Sequence, residues 1–158
     1  MKQKIEHKNS KGQLHCENGP AIIYYHKNGN KENEQYYLNN KIHRVNGPAN
    51  IRYFKNKNKH YEAYYLNDQS HRENGPADIY YYENGNKQSE AYYINNQLHR
   101  TKGPVVIYYF KNGNKEYELY YLDNIKLENW CKKYNILFEQ KYVIDNLEKI
   151  YKTFSIFK

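Results

Sequence analysis

Cysteine is nearly missing from this sequence: Cys16 and Cys131 are the two in 158 residues. On an open sheet of about eight strands spaced ~4.8 Å, the kind derived below, they stand ~30–40 Å apart. That excludes a disulfide, which needs Cα atoms within ~7 Å. Long apolar runs are absent too. Nothing approaches the ~20 residues that span a bilayer, and Met1 to Lys8 leads into no apolar stretch like that of a signal peptide. A soluble, cytoplasmic protein of a bacterium or host cell is expected, with no membrane partner. Aliphatic side chains are scarce, because the apolar fraction is 39% and includes 21 tyrosines. Tyrosine carries a hydroxyl that needs water or a bonding partner. A deep aliphatic core is therefore excluded, and a thin sheet packed by rings is expected.

Proline occurs four times, each time after glycine: Gly19-Pro20, Gly47-Pro48, Gly75-Pro76 and Gly103-Pro104, a period of 28 residues without insertion or deletion. His15, His43, His71 and His99 keep the register, as do Tyr36-Tyr37, Tyr64-Tyr65, Tyr92-Tyr93 and Tyr120-Tyr121. A fixed period of this length marks a repeat array in which each unit buries surface against its neighbours. Four units fill residues 12–39, 40–67, 68–95 and 96–123. Residues 1–11 read as a polar lead-in without period, and 124–158 as a C-terminal appendage.

Within a unit, Ala21, Ile23 and Tyr25 alternate with Ile22, Tyr24 and His26, and the pattern returns at 49–54, 77–82 and 105–110. Period two in β-branched and aromatic residues predicts a strand. Asn28-Gly29, Asn84-Gly85 and Asn112-Gly113 follow as hairpin turns in which both residues tolerate positive φ. Lys57 replaces this glycine in the second unit, where left-handed geometry would cost it roughly 1 kcal/mol; a different turn is expected there. A return strand carries Glu34, Tyr36 and Leu38 on one side and Gln35 and Tyr37 on the other. Asn39-Asn40 and Asn95-Asn96 then turn the chain again. Gly-Pro, lacking one donor and relaxed in φ, predicts a bend or bulge. The fold class is mainly β: an open antiparallel hairpin meander of four 28-residue repeats. A short α-helical cap should follow, since Leu127, Trp130, Cys131 and Tyr134, then Val143, Leu147, Ile150, Tyr151 and Phe154, form apolar helical stripes.

The segments Leu98-His99-Arg100-Thr101-Lys102-Gly103-Pro104 and Ile42-His43-Arg44-Val45-Asn46-Gly47-Pro48, each followed by tyrosine-rich strands, resemble MORN-variant repeats. Repeats of that kind occur in bacterial, phage and giant-virus proteins, some of them labelled antitoxins. The resemblance covers residues 12–123 and implies a β-hairpin repeat sheet with a non-catalytic binding role. Cys16 in place of arginine, Ser70 in place of Leu or Ile, and Lys57 in place of glycine depart from the pattern.

Catalysis finds no support in the sequence. His15 and Cys16 are strand neighbours that point to opposite faces, and no phosphate-cradling glycine loop or H-E-x-x-H helix is present. Equivalent histidines stand about 9–10 Å apart, too far to share a zinc ion; hydrogen bonds at the bend before Gly-Pro are their expected role. Arg44, Arg72 and Arg100 are expected to pin the column Glu34, Glu62, Glu90 and Glu118. No cofactor or metal is called for.

The informative contrast is between positions that repeat and positions that vary. The Ala-Ile-Tyr face hardly changes, whereas across the strand the series run Ile22, Asn50, Asp78, Val106; Tyr24, Arg52, Tyr80, Tyr108; and His26, Phe54, Tyr82, Phe110. Charge is uneven as well, with net values of −1, +5, −3 and +1 along the four units. The second unit is thus a basic patch. The candidate partner-binding residues are Tyr24, Arg52, Phe54, Lys55, Lys57, Lys59, Tyr80, Tyr82, Tyr108 and Phe110. One reading is a protein-interaction module, such as an antitoxin or a phage-encoded inhibitor of host defence (an anti-CRISPR, for instance). Its rings would be anchors on another protein, including one of a nucleic-acid-processing complex. The alternative is single-stranded RNA or DNA, with rings stacking bases and Arg44, Arg52, Lys55, Lys57 and Lys59 holding phosphates. Self-association is open as well.

Overall fold

The computed structural model describes residues 3–100, 103–122, 125–126 and 129. Its strands, in chain order, are β1 (Lys4–Glu6), β2 (Ile22–Tyr25), β3 (Lys31–Gln35), β4 (Tyr37–Leu38), β5 (Lys41–Ile42), β6 (Asn50–Tyr53), β7 (Lys59–Ala63), β8 (Tyr65–Leu66), β9 (Gln69–Ser70), β10 (Asp78–Tyr81), β11 (Lys87–Ala91), β12 (Tyr93–Ile94), β13 (Gln97–Leu98), β14 (Val106–Tyr109), β15 (Lys115–Leu119), β16 (Tyr121–Leu122) and β17 (Ile125–Lys126). Nine of them form one open sheet in the order β1-β2-β3-β6-β7-β10-β11-β14-β15. All its pairings are antiparallel. The other eight make four two-stranded hairpins, one per repeat. The expected meander is present; the helical stripes at 127–134 and 143–154 lie outside the described residues, as does Cys131.

The alternating pattern assigns the faces. Ile51, Ile79 and Ile107 stand in register with Glu62 and Glu90, and this constant face is closed: Ala21, Ala49 and Ala77 have no exposure. Its carboxylates would be costly to bury unpaired. Each takes two partners instead. Lys31 Nζ and Tyr53 Oη both donate to Glu34 at 2.6 Å, and Lys59 and Tyr81 do the same to Glu62. Lys87 and Tyr109 repeat the arrangement at Glu90. Each tyrosine comes from the next hairpin, so the column ties unit to unit.

The arginines are not part of that column. Arg44, Arg72 and Arg100 lay their guanidinium groups 3.9 Å from the ring centres of Tyr36, Tyr64 and Tyr92 and donate to the carbonyls of Pro48, Pro76 and Pro104. Gly47 is forced by this packing: its φ is 137°, and a Cβ there would stand 3.1 Å from the Arg44 guanidinium carbon. Cation–π contact and a neutral carbonyl replace the expected ion pairs because Lys and Tyr have already filled the carboxylates.

The turns differ from expectation in two ways. Asn39-Asn40, Asn67-Asp68 and Asn95-Asn96 have positive φ at both residues, as tight two-residue hairpin turns require. The Asn-Gly turns do not: only the glycine is left-handed, in a three-residue loop closed by His26 N to Asn30 O and Gly29 N to His26 O. Lys57 does not alter this turn. It adopts φ 74° and keeps both bonds, Phe54 N to Asn58 O and Lys57 N to Phe54 O. Asn56 and Asn58 fix the loop by donating to Glu83 O in the next unit, at 3.3 and 2.8 Å.

The lead-in is more ordered than its composition suggests. β1 pairs with β2, Lys8 bridges Leu14, and the Asn9 side chain organises the chain up to Gln13. An otherwise open edge of β2 thereby gains backbone partners.

Candidate functional site

The opposite face carries the variable series, and a single irregularity decides what reaches it. In each hairpin the register slips after Tyr24, Arg52, Tyr80 or Tyr108: Tyr24 pairs with Asn33, but Tyr25 pairs with Lys31. One extra residue therefore bulges at Glu32, His60, Gln88 and Glu116. A regular strand would set residues three apart on opposite faces; the bulge returns Lys59 to the face of Glu62. Lys59 is thus not on the variable face, contrary to expectation, and Arg44 is absent from it as well. Arg52, Lys55 and Lys57 remain there and at the adjoining tip.

The strand rows of this face differ in depth. Ile22, Asn50 and Val106 are buried, so the first variable series is largely interior. Asp78 in the same row accepts a bond from Tyr61 Oη at 2.9 Å. Burial pushes its carboxyl above the ordinary range, against the opposing effect of that bond. The next row is open. Arg52 is exposed, Tyr80 is 41% exposed, and Tyr24 and Tyr108 are half-buried. Nearer the tips, Phe110 is exposed while Phe54 and Tyr82 are half-buried. Tyr82 spends its hydroxyl on Tyr109 O at 2.8 Å, as His26 Nε2 does on Tyr53 O at 3.1 Å.

The rings form two groups. Phe54 lies 4.5 Å from His60, His60 lies 6.5 Å from Tyr80, Tyr80 lies 4.5 Å from Tyr61, and Arg52 stands 5.4 Å over Tyr61. Farther along, Tyr108 stacks on Tyr117 at 4.4 Å with 12° between planes. Beside the first group opens a shallow groove of ≈ 660 Å³, whose lining includes Tyr24, Asn33, Arg52, Phe54, Lys55 and His60. Asn33 Oδ1 at its floor is buried and without a bonding partner. No protein-family model matches this chain, nor does any curated protein or solved structure. The reading of the face rests on its own geometry.

Sequence reasoning overlooked His60, Tyr61, Tyr117 and Asn33. The signal was available: along the return strand, Asn33, Tyr61, Ser89 and Tyr117 vary from unit to unit as freely as Tyr24, Arg52, Tyr80 and Tyr108. The histidines went elsewhere. His15, His43 and His71 accept at Nδ1 from the backbone N–H of Asn39, Asn67 and Asn95 at 3.2–3.3 Å, closing the tight turn of the first three units rather than their Gly-Pro bend.

Proposed function

We propose that this protein is a non-enzymatic binding module that captures another protein through its variable face. The observation that carries this reading is the open path Arg52, Tyr80, His60 and Phe54, laid over the buried ring of Tyr61 and beside an open groove. Rigid aromatic anchors flanked by an arginine are the side chains that dominate protein interfaces, because they bury much area at little entropic cost. The resemblance to MORN-variant repeats adds the accessory roles of that company, antitoxin or inhibitor of a host defence system.

The nucleic-acid alternative is weakened by the same geometry. Of five cations proposed for phosphates, Arg44 and Lys59 are committed to the other face. Rings 4.4–4.5 Å apart already occupy one face of each partner, leaving no slot between them for a base. Affinity capture from the native host, with and without nuclease, tests the choice. Retention of one protein irrespective of nuclease, and its loss with Tyr80→Ala or Arg52→Glu, is the expected result. Recovery that depends on intact RNA or DNA would move the function to nucleic-acid binding.

A further inference from the structure

Charge on the variable face and its tips divides along one line, the boundary between β7 and β10. On the β7 side stand Lys27, Arg52, Lys55 and Lys57, none of them in an ion pair among the described residues, against Glu32, while Lys4 and Glu6 of β1 pair with each other. On the β10 side stand Glu83 and Glu116 against Lys111, with Asp78 held below them in the interior row. Four strands of the main hairpins lie on either side of the line: β2, β3, β6 and β7, then β10, β11, β14 and β15. Apart from β1 at the far edge, the two halves match strand for strand and are opposite in sign, which is the self-complementarity an isologous two-fold contact requires.

We propose that a second copy of this chain docks on the variable face, related by a two-fold axis running along the strands between β7 and β10. The proposal rests on the reading of that face as a protein-binding surface and names one partner for it. Rotation about this axis lays β7 over β10 of the other copy and the tip 54–58 over the tip 82–86. Lys55 and Lys57 then face Glu83, and by symmetry the contact occurs twice. Arg52 comes across from Ser89, the smallest side chain in its row, which leaves space for a guanidinium beside Tyr80. Asn33, with its unpaired buried oxygen, comes across from the strand that carries the Tyr108 hydroxyl. Other axes serve less well. One between β3 and β6 sets Lys27 against both Lys55 and Lys57, whereas the chosen axis sets Lys27 against Lys111 alone and keeps the two lysines of the second tip on Glu83. One between β11 and β14 opposes Glu83 and Lys111 but overlaps only four of the eight strands.

Sedimentation velocity on the full chain at rising concentration tests the proposal by charge reversal. The wild type is expected to dimerise. Lys55→Glu/Lys57→Glu and, separately, Glu83→Lys are each expected to weaken the dimer about tenfold or more, since like charges then meet at both symmetric contacts. An equimolar mixture of the two variants should recover it, because every contact in the heterodimer pairs opposite charges again. Neither substitution removes a folding contact: the bonds at these tips run to the backbone carbonyls of Lys55 and Glu83, and circular dichroism checks that the sheet is retained. A wild type that stays monomeric at its highest soluble concentration overturns the proposal, and so does a dimer indifferent to both reversals. Failure of the broader reading is distinct: it would appear as a captured target that Tyr80→Ala and Arg52→Glu leave in place.

Discussion

Tyr80 and Tyr81 are adjacent in the chain and belong to two different kinds of surface. Tyr81 lies on the face that repeats, its hydroxyl 2.6 Å from Glu62 in the preceding hairpin, and its equivalents Tyr53 and Tyr109 do the same. Tyr80 lies on the face that varies, where its equivalents are Tyr24, Arg52 and Tyr108 and, among the described residues, its own hydroxyl bonds nothing. A side chain that must meet the next unit is held to one identity by that unit. A side chain relieved of that duty is free to be chosen for something outside the array. Repetition here reports structure, and variation reports release from it, in the interior row of Ile22, Asn50, Asp78 and Val106 as well as at the surface; the alternation of a β-strand interleaves the two.

The largest effect expected is alkaline collapse of the sheet, led by the tyrosines whose hydroxyls burial raises, which include the Tyr-Glu column of the repeated face and, on the variable face, Tyr61. Burial first, and then the bonded carboxylates, push the Tyr53, Tyr81 and Tyr109 hydroxyls well above their ordinary value of 10.0. Tyr120, whose hydroxyl bonds Glu118, rises to about 12 by the same causes. A group raised in the folded state holds its proton more tightly there than when unfolded. Its stabilisation is complete below pH 10 and is lost as pH climbs from that value through the folded one. Tyrosinate absorbance should therefore show an early class of exposed rings and a late class that ionises together with loss of the sheet signal. A single smooth titration without unfolding would erase the distinction between the two classes.

At the scale of single residues, Tyr81→Phe removes a donor from a buried carboxylate and is expected to cost about 2 kcal/mol in urea denaturation. Tyr80→Phe should stay within about 0.5 kcal/mol, as at other open positions. Equal costs would break the comparison. A smaller, opposite effect is expected at the tip of the second hairpin: Lys57→Gly should stabilise the protein by about 1 kcal/mol, since φ 74° strains a lysine and suits glycine.

The smallest effect concerns Asp78, the charged member of the interior row. Burial raises its carboxyl above the ordinary value of 3.8, so the folded protein is penalised as pH rises through that value. Asp78→Asn, which copies Asn50 of the neighbouring unit, keeps an acceptor for Tyr61 and should stabilise the protein at neutral pH by less than about 1 kcal/mol. The gain should vanish below about pH 4, where the native aspartate is protonated; thermal melts at the two pH values check it.

Much of this architecture was legible before any coordinates. The Ala-Ile-Tyr alternation located the strands and separated the two faces, and Asn-Asn marked the tight turns. What escaped was irregularity. Nothing in Lys59-His60-Tyr61-Glu62 announces a bulge, yet the bulge at His60 moves Lys59 across the sheet and completes the pairing of Glu62. The destination of Arg44 escaped for a related reason, since it depends on Gly47 at φ 137° letting a guanidinium lie against the backbone. Local pattern fixes which side of a regular strand a residue occupies, and fails by one residue wherever the ladder slips. The binding face inherited that failure at Lys59, and lost the exposed Tyr117 and the buried Tyr61 beneath the rings because only the outgoing strand was compared across units.

The asparagine bonds at the tips run one way. Asn28 and Asn30 donate to Lys55 O, Asn56 and Asn58 to Glu83 O, and Asn84 and Asn86 to Lys111 O, always forward along the chain. In the fourth unit, among the described residues, the equivalent Asn112 keeps only its local bond to Asn114 N. The array therefore has a head and a tail, like a monomer with one reactive end. An in-frame duplication of 28 codons would insert a unit already fitted to both neighbours, so the length of this protein can be inherited as a number of copies.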